Sequence, residues 1–102
     1  MSGSTYVERV LVLSFYHAPV HIRDEDPREL KNCGWLDYAY LSFGMFFDLA
    51  GLMRSDDLVE KMDMPEWFRR IARLARKEDC SLVLLNYDEE EHPDLPLYEG
   101  ED

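Results

Sequence analysis

The sequence predicts a small single-domain α/β protein in β-α-β-α-α-β order, with a three-stranded, largely parallel sheet and helices packed on it. Three observations lead there: two short, continuous runs of β-forming apolar residues, one strongly amphipathic helical segment ahead of the second run, and a composition able to build a core. Of the 102 residues, 46% are hydrophobic and 13% aromatic, which is too apolar for a disordered chain and suits one domain. That domain is expected over residues 1–99, with residues 100–102 as a disordered acidic end.

Glu8–Tyr16 (Glu-Arg-Val-Leu-Val-Leu-Ser-Phe-Tyr) is short and continuously apolar, the pattern of a strand buried on both faces and therefore in the middle of the sheet. In the polar segment that follows, Asp26 is placed to N-cap a short helix begun by Pro27, with Glu29 as its capping-box partner and an end near Asn32 to Gly34. Trp35–Phe43 has two readings, because its aromatics suit a strand while Leu36, Tyr40, Phe43 and Phe47 recur at helical spacing. A strand over Trp35–Leu41 is preferred, followed by Gly44 and an apolar helix over Met45–Met53; one helix from Trp35 to Met53 is the rival.

The clearest element opens with Asp63 and Glu66 as a capping box around Pro65 and reaches Lys77 or Glu78. Helical periodicity gathers Trp67, Phe68, Ile71, Ala72, Leu74 and Ala75 on one face, and Arg69, Arg70, Arg73, Arg76 and Lys77 on the other. Ser81–Tyr87 is the second buried strand, after a tight connection. From Asp88 onward there are eight acids and no Lys or Arg, with Pro93 and Pro96 interrupting any long element. Leu95, Leu97 and Tyr98 can dock this tail, which is available as an added edge strand.

Charge narrows the function. The chain has 22 Asp and Glu against 11 Lys and Arg, a net charge of −11. Five of the bases lie in the acid-free stretch Trp67–Lys77, so the remainder holds 22 acids against 6 bases, or −16. Such a surface opposes direct binding to nucleic acid or an anionic membrane and favours a basic protein partner. No apolar run approaches the roughly 18 to 20 residues that cross a bilayer, and Met1–Val7 lacks the basic start of a signal peptide, so a cytoplasmic protein is expected. Cys33 and Cys80 belong to no Cys-x-x-Cys or Cys-x-x-His pair and are read as buried reduced thiols.

Leu-Ser-x-x-His at Leu13–His17, Gly-Trp-Leu at Gly34–Leu36, Ala-Arg-x-x-x-Cys at Ala75–Cys80 and Leu-Pro-Leu-Tyr-Glu at Leu95–Glu99 together resemble a family of short, uncharacterised α/β domains. That family is carried by bacterial phages, plasmids and other mobile elements. The resemblance spans most of the chain and implies a mobile-element accessory protein, with an anti-CRISPR-type inhibitor among the roles it suggests. It supplies no catalytic residues.

His17 and His21 have helical metal-ligand spacing but flank Pro19 after a strand, so no metal is expected. Ser14 with His17 lacks a Gly-x-Ser-x-Gly elbow and a Gly-rich oxyanion loop, which leaves a small hydrolase as the weakest reading. The basic helix face is read as solvated, or as paired with the acidic tail within one chain or across a homodimer. The aromatics from Trp35 to Phe47 are mostly core, with one or two left as a partner anchor. The leading expectation is a non-enzymatic inhibitor or adaptor without cofactors, whose carboxylates occupy the groove of a basic, nucleic-acid-handling defence protein. The partner-binding residues are then Asp24, Glu25, Asp26, Asp56, Asp57, Asp88, Glu89, Glu90, Glu91, Asp94, Glu99, Glu101 and Asp102. An antitoxin-like or regulatory partner of a basic toxin is the alternative.

Overall fold

The computed structural model describes residues 9–54 and 57–98. Its strands are β1 (Val10–Ser14), β2 (Asp37–Leu41), β3 (Gly44–Asp48) and β4 (Leu82–Asn86), and its α-helices are α1 (Val20–Arg23), α2 (Leu58–Lys61) and α3 (Glu66–Lys77). Short 3-10 turns occupy Phe15–His17, Leu30–Asn32 and Ala50–Arg54. The strands form one four-stranded sheet in the order β1-β4-β3-β2. Only β1 and β4 run parallel, while β4–β3 and β3–β2 are antiparallel.

This mixed sheet corrects the expected three-stranded, largely parallel one and its β-α-β-α-α-β order. The missing strand lies in one segment. Met45–Met53, read as a helix, begins instead with β3, and the rival single helix from Trp35 to Met53 is excluded with it. A two-residue turn at Ser42 and Phe43 folds β3 back on β2, pairing Tyr38 with Phe47 and Tyr40 with Met45. Gly44 makes the fit possible, since a Cβ there would fall on the Leu85 carbonyl of β4. The helical spacing of Leu36, Tyr40, Phe43 and Phe47 is thus coincidental with strand alternation on either side of a tight turn.

β1 was expected in the middle of the sheet, but it is an edge strand; β4 takes the interior position, between β1 and β3. Alternation then sorts the side chains. Leu11 and Leu13, Val83 and Leu85, Met45 and Phe47, and Tyr38 and Tyr40 join one core with Phe68, Ile71, Ala72 and Ala75 of α3. Tyr40 also donates its phenolic hydrogen to Ile22 O at 2.9 Å, tying the sheet to α1. Val10, Val12, Leu82, Leu84 and Phe46 belong to the opposite face and lie outside that core.

The apolar stripe of α3 is buried as its periodicity predicts. The expected capping box is not formed: Pro65 is the N-cap residue, without a side-chain cap bond, and Glu66 instead approaches Arg69, Arg70 and Arg73. The tight αβ connection is a Schellman motif, in which Asp79 N–H donates to Arg76 O at 3.1 Å and Cys80 N–H to Ala75 O at 2.8 Å. Asp79 takes the left-handed conformation this requires, at φ 57°. α1 ends the same way, with Glu25 at φ 62° and Asp26 N–H donating to His21 O at 2.9 Å.

The expected helix from Pro27 contracts to the Leu30–Asn32 turn. Asp26 pairs with Arg28 instead, and Glu29 accepts from His21, so neither carboxylate acts as the proposed cap. Both cysteines are buried and free, in agreement with the reduced-thiol reading. Among the described residues, no helix is long and apolar enough to cross a membrane.

Candidate partner-binding surface

Parallel β1 and β4 end side by side at Ser14 and Asn86, and the chain beyond them builds a polar cleft of about 620 Å³ lined by Ser14, Tyr16, Tyr87, Glu89, Glu90 and Glu91. Tyr16 and Tyr87 meet edge to face, with ring centroids 5.7 Å apart. The Arg23 guanidinium lies 4.7 Å from the centre of the Tyr16 ring. Burial pushes the Tyr87 hydroxyl up; Arg23 opposes this, and Tyr16, Asp24 and Glu25 reinforce it. The Tyr87 hydroxyl lies 3.5 Å from Arg23 O, which sets the neighbouring Asp24 and Glu25 by Tyr87, itself next in sequence to Asp88–Glu91. Two acidic segments more than sixty residues apart in sequence are brought to one end of the sheet.

The other expected carboxylates are placed differently. Asp26 is held by Arg28 at 2.6 Å, and that hydrogen bond keeps its carboxyl below the usual range. Asp57 pairs with Lys61 at 2.7 Å, away from the cleft and next to α2. Asp94 is exposed in the tail, near Arg70, Arg73 and Lys77 of α3. Asp56, Glu99, Glu101 and Asp102 lie outside the described residues.

The tail from His92 to Tyr98 is docked, but not as an edge strand among the described residues. His17, 2% exposed, holds it from both ring nitrogens. His92 N–H donates to Nε2 at 2.9 Å, so Nδ1 carries the proton and donates to Pro96 O, also at 2.9 Å. Tyr98 N–H donates to Tyr16 O at 2.8 Å, and Arg23 donates to Tyr98 O at 2.6 Å. Sequence reasoning weighed His17 for catalysis and missed this clamp, since no local pattern signals a bond across 75 or 79 residues.

That clamp also bears on reactivity. Ser14 accepts a hydrogen bond from Tyr16 N–H, and both nitrogens of His17 face tail backbone groups, so the two do not form a nucleophile–base pair. Cys33 is one of two buried free cysteines, and burial, Asp63 and Glu29 push its thiol up, away from thiolate character. Among the described residues, no group of three or more His, Cys, Asp or Glu is arranged to hold a metal ion.

Arg69, Arg70, Arg73 and Arg76 of α3 contact the rest of the domain, while Arg70, Arg73 and Lys77 remain exposed to solvent. Arg73 makes a two-pronged contact with Glu60, at 2.7 Å to each oxygen, which holds the Glu60 carboxyl below its usual range. Arg69 donates to Val59 O and Met62 O, Arg76 to Leu52 O, and Arg70 to the Tyr98 hydroxyl. Of the two expected readings, a solvated face fits the exposed Arg70, Arg73 and Lys77, and among the described residues the ion pairs of this face go to Glu60 and Glu66 with no tail carboxylate.

Fold and surface define a small mixed-sheet α/β domain with an acidic cleft at one end and a basic helix whose Arg69, Arg73 and Arg76 are engaged within the domain. Residues 10–100 match the C-terminal domain of DUF5983, a family of unknown function, and the chain belongs to that family. No curated protein and no solved structure matches it. The match supports membership of an uncharacterised family, as the resemblance implied, and says nothing of phages or CRISPR systems.

Proposed function

We propose that this protein is a non-enzymatic inhibitor or adaptor that binds a basic, nucleic-acid-handling protein through its exposed carboxylates. One observation carries the reading: how the two signs of charge are distributed. Arg28, Lys61, Arg69, Arg73 and Arg76 are engaged within the domain by carboxylates or carbonyls. Asp24, Glu25, Asp88, Glu89, Glu90 and Glu91 are exposed and have no ion-pair partner among the described residues. The charge offered to a partner is therefore more one-sided than the net −11 suggests.

Carboxylates clustered on a docked scaffold can pair with Arg and Lys that otherwise contact phosphates, and such pairing speeds encounter as well as selecting the partner. In a mobile-element setting, the target class is a host defence protein with a basic groove, as in anti-CRISPR or anti-restriction inhibition. Capture from host lysate at low and high salt tests this, with carried-over nucleic acid measured. Wild type is expected to retain basic nucleic-acid-binding proteins in a salt-sensitive manner, and a variant with Asp88, Glu89, Glu90 and Glu91 changed to Lys to lose them. Equal capture by both proteins would sink the reading.

A further inference from the structure

Strand register lays out the second face of the sheet row by row. Val12, Leu84, Phe46 and Ala39 line up across the four strands, and Val10, Leu82, Asp48 and Asp37 form the next row. Sheets with one face in water normally alternate apolar and polar residues. Here the strands VLVLS and LVLLN are apolar on both faces, yet Val10 and Val12 remain 46% and 38% exposed and none of Val10, Val12, Leu82, Leu84 and Phe46 belongs to the core. Among the described residues, nothing packs this face into a second core.

The same face carries an electrostatic conflict. Asp37 and Asp48 are directly opposed across β2 and β3, an arrangement that destabilises a sheet. Asp48 accepts a hydrogen bond from Ala50 N–H at 3.0 Å, but neither carboxylate has an ion-pair partner among the described residues. At the other end of the strands, Asn86 leads into the exposed run Asp88–Glu91. An apolar strip is thus bracketed by carboxylates.

We infer that this face, uncovered among the described residues, docks a basic partner protein whose contact strip is apolar and flanked by Lys or Arg. The proposal deepens the basic-partner reading and rests on it. A second copy of the chain fits poorly, because its own −11 charge would meet the same acidic ends. Four strands of five residues span about 17 Å by about 19 Å, well below the roughly 800 Å² per partner of a standard interface. The footprint must therefore extend to the acidic ends, where a cation relieves the Asp37–Asp48 opposition.

The test uses the full chain and three ten-residue peptides: alternating Lys and Leu, alternating Lys and Ser, and alternating Glu and Leu. The Lys–Leu peptide is expected to bind at least about tenfold more tightly than either control, a difference of about 1.4 kcal/mol, and to shift amide resonances of β1, β3 and β4. Val12→Asn, and separately Leu84→Thr, should reduce that binding to the level of the Lys–Ser peptide while circular dichroism stays native. Asp37→Asn should weaken binding and raise the thermal midpoint of the free protein, a pairing of effects that a purely structural aspartate would not give. Equal binding of the Lys–Leu and Lys–Ser peptides overturns docking on this face and leaves the basic-partner reading standing. Failure of both cationic peptides overturns both. A dimer in sedimentation that Val12→Asn dissociates assigns the face to a second copy and likewise overturns the proposal.

Discussion

Phe46 and Phe47 are neighbours in β3 and point to opposite faces of the sheet. Phe47 is fully buried, with its ring centroid 5.0 Å from that of Phe68 and 6.4 Å from that of Trp67. Phe46 is only half-buried and shares its row with Val12, Leu84 and Ala39. The residue type is the same on both faces, so composition does not distinguish them. The difference lies in what covers each: α3 supplies an apolar stripe to one face, and no described helix is left for the other. An apolar strand can thus have one face in a finished core and the other left outside it.

The largest test of this contrast is a pair of truncations. Phe47→Ala is expected to destabilise the domain by about 3 to 5 kcal/mol, since it removes a large buried ring and leaves a cavity. Phe46→Ala should cost less than about 1.5 kcal/mol, because the exposed part of its ring loses no burial on truncation. Urea unfolding of the two variants measures both, and similar losses would contradict the assignment of the faces.

A smaller effect separates the packed sheet from the tail clamped at its end. His17→Ala should lower stability by about 1 to 3 kcal/mol through the loss of its two hydrogen bonds to the tail backbone. It should also speed hydrogen exchange at the His92 and Tyr98 amides while leaving exchange in β4 close to wild type. If all three sites accelerate together, the tail is part of the cooperative core.

The smallest effect is alkaline. Tyr40 lies on the covered face, and burial, with Tyr38 and nearby carboxylates, pushes its hydroxyl well above the usual tyrosine range. The folded state therefore keeps Tyr40 neutral where the unfolded chain ionises it. Its contribution is complete below about pH 10, the ordinary tyrosine value, and declines as pH rises beyond that. Stability measured from pH 8 to 11 should fall less steeply in Tyr40→Phe than in wild type; parallel curves would show that the phenol is not held in this way.

Local sequence was informative wherever the physics is local. α3 could be read from its apolar period, the segments Glu8–Tyr16 and Ser81–Tyr87 contain the observed strands, and both cysteines are the buried thiols their isolation suggested. β3 was missed because Gly44 reads as a break in a one-dimensional pattern. Its role is to let β3 approach the Leu85 carbonyl on a strand forty residues away. The candidate surface was partly legible: the acidic segments were visible, but their meeting near Tyr16 and Tyr87 follows from the parallel pairing of β1 and β4.

By itself, the sequence determined the charge balance, the amphipathic helix and the fact that its first and last strands are apolar on both sides, since these depend on residue type and period alone. Tertiary structure decided which side is covered. It also decided that β1 stands at the edge, that Arg69, Arg73 and Arg76 of α3 reach Glu60, Glu66 and backbone carbonyls, and that His17 holds the tail. Each of these depends on distances between residues far apart in the chain, and such distances are set only when the helices and strands pack.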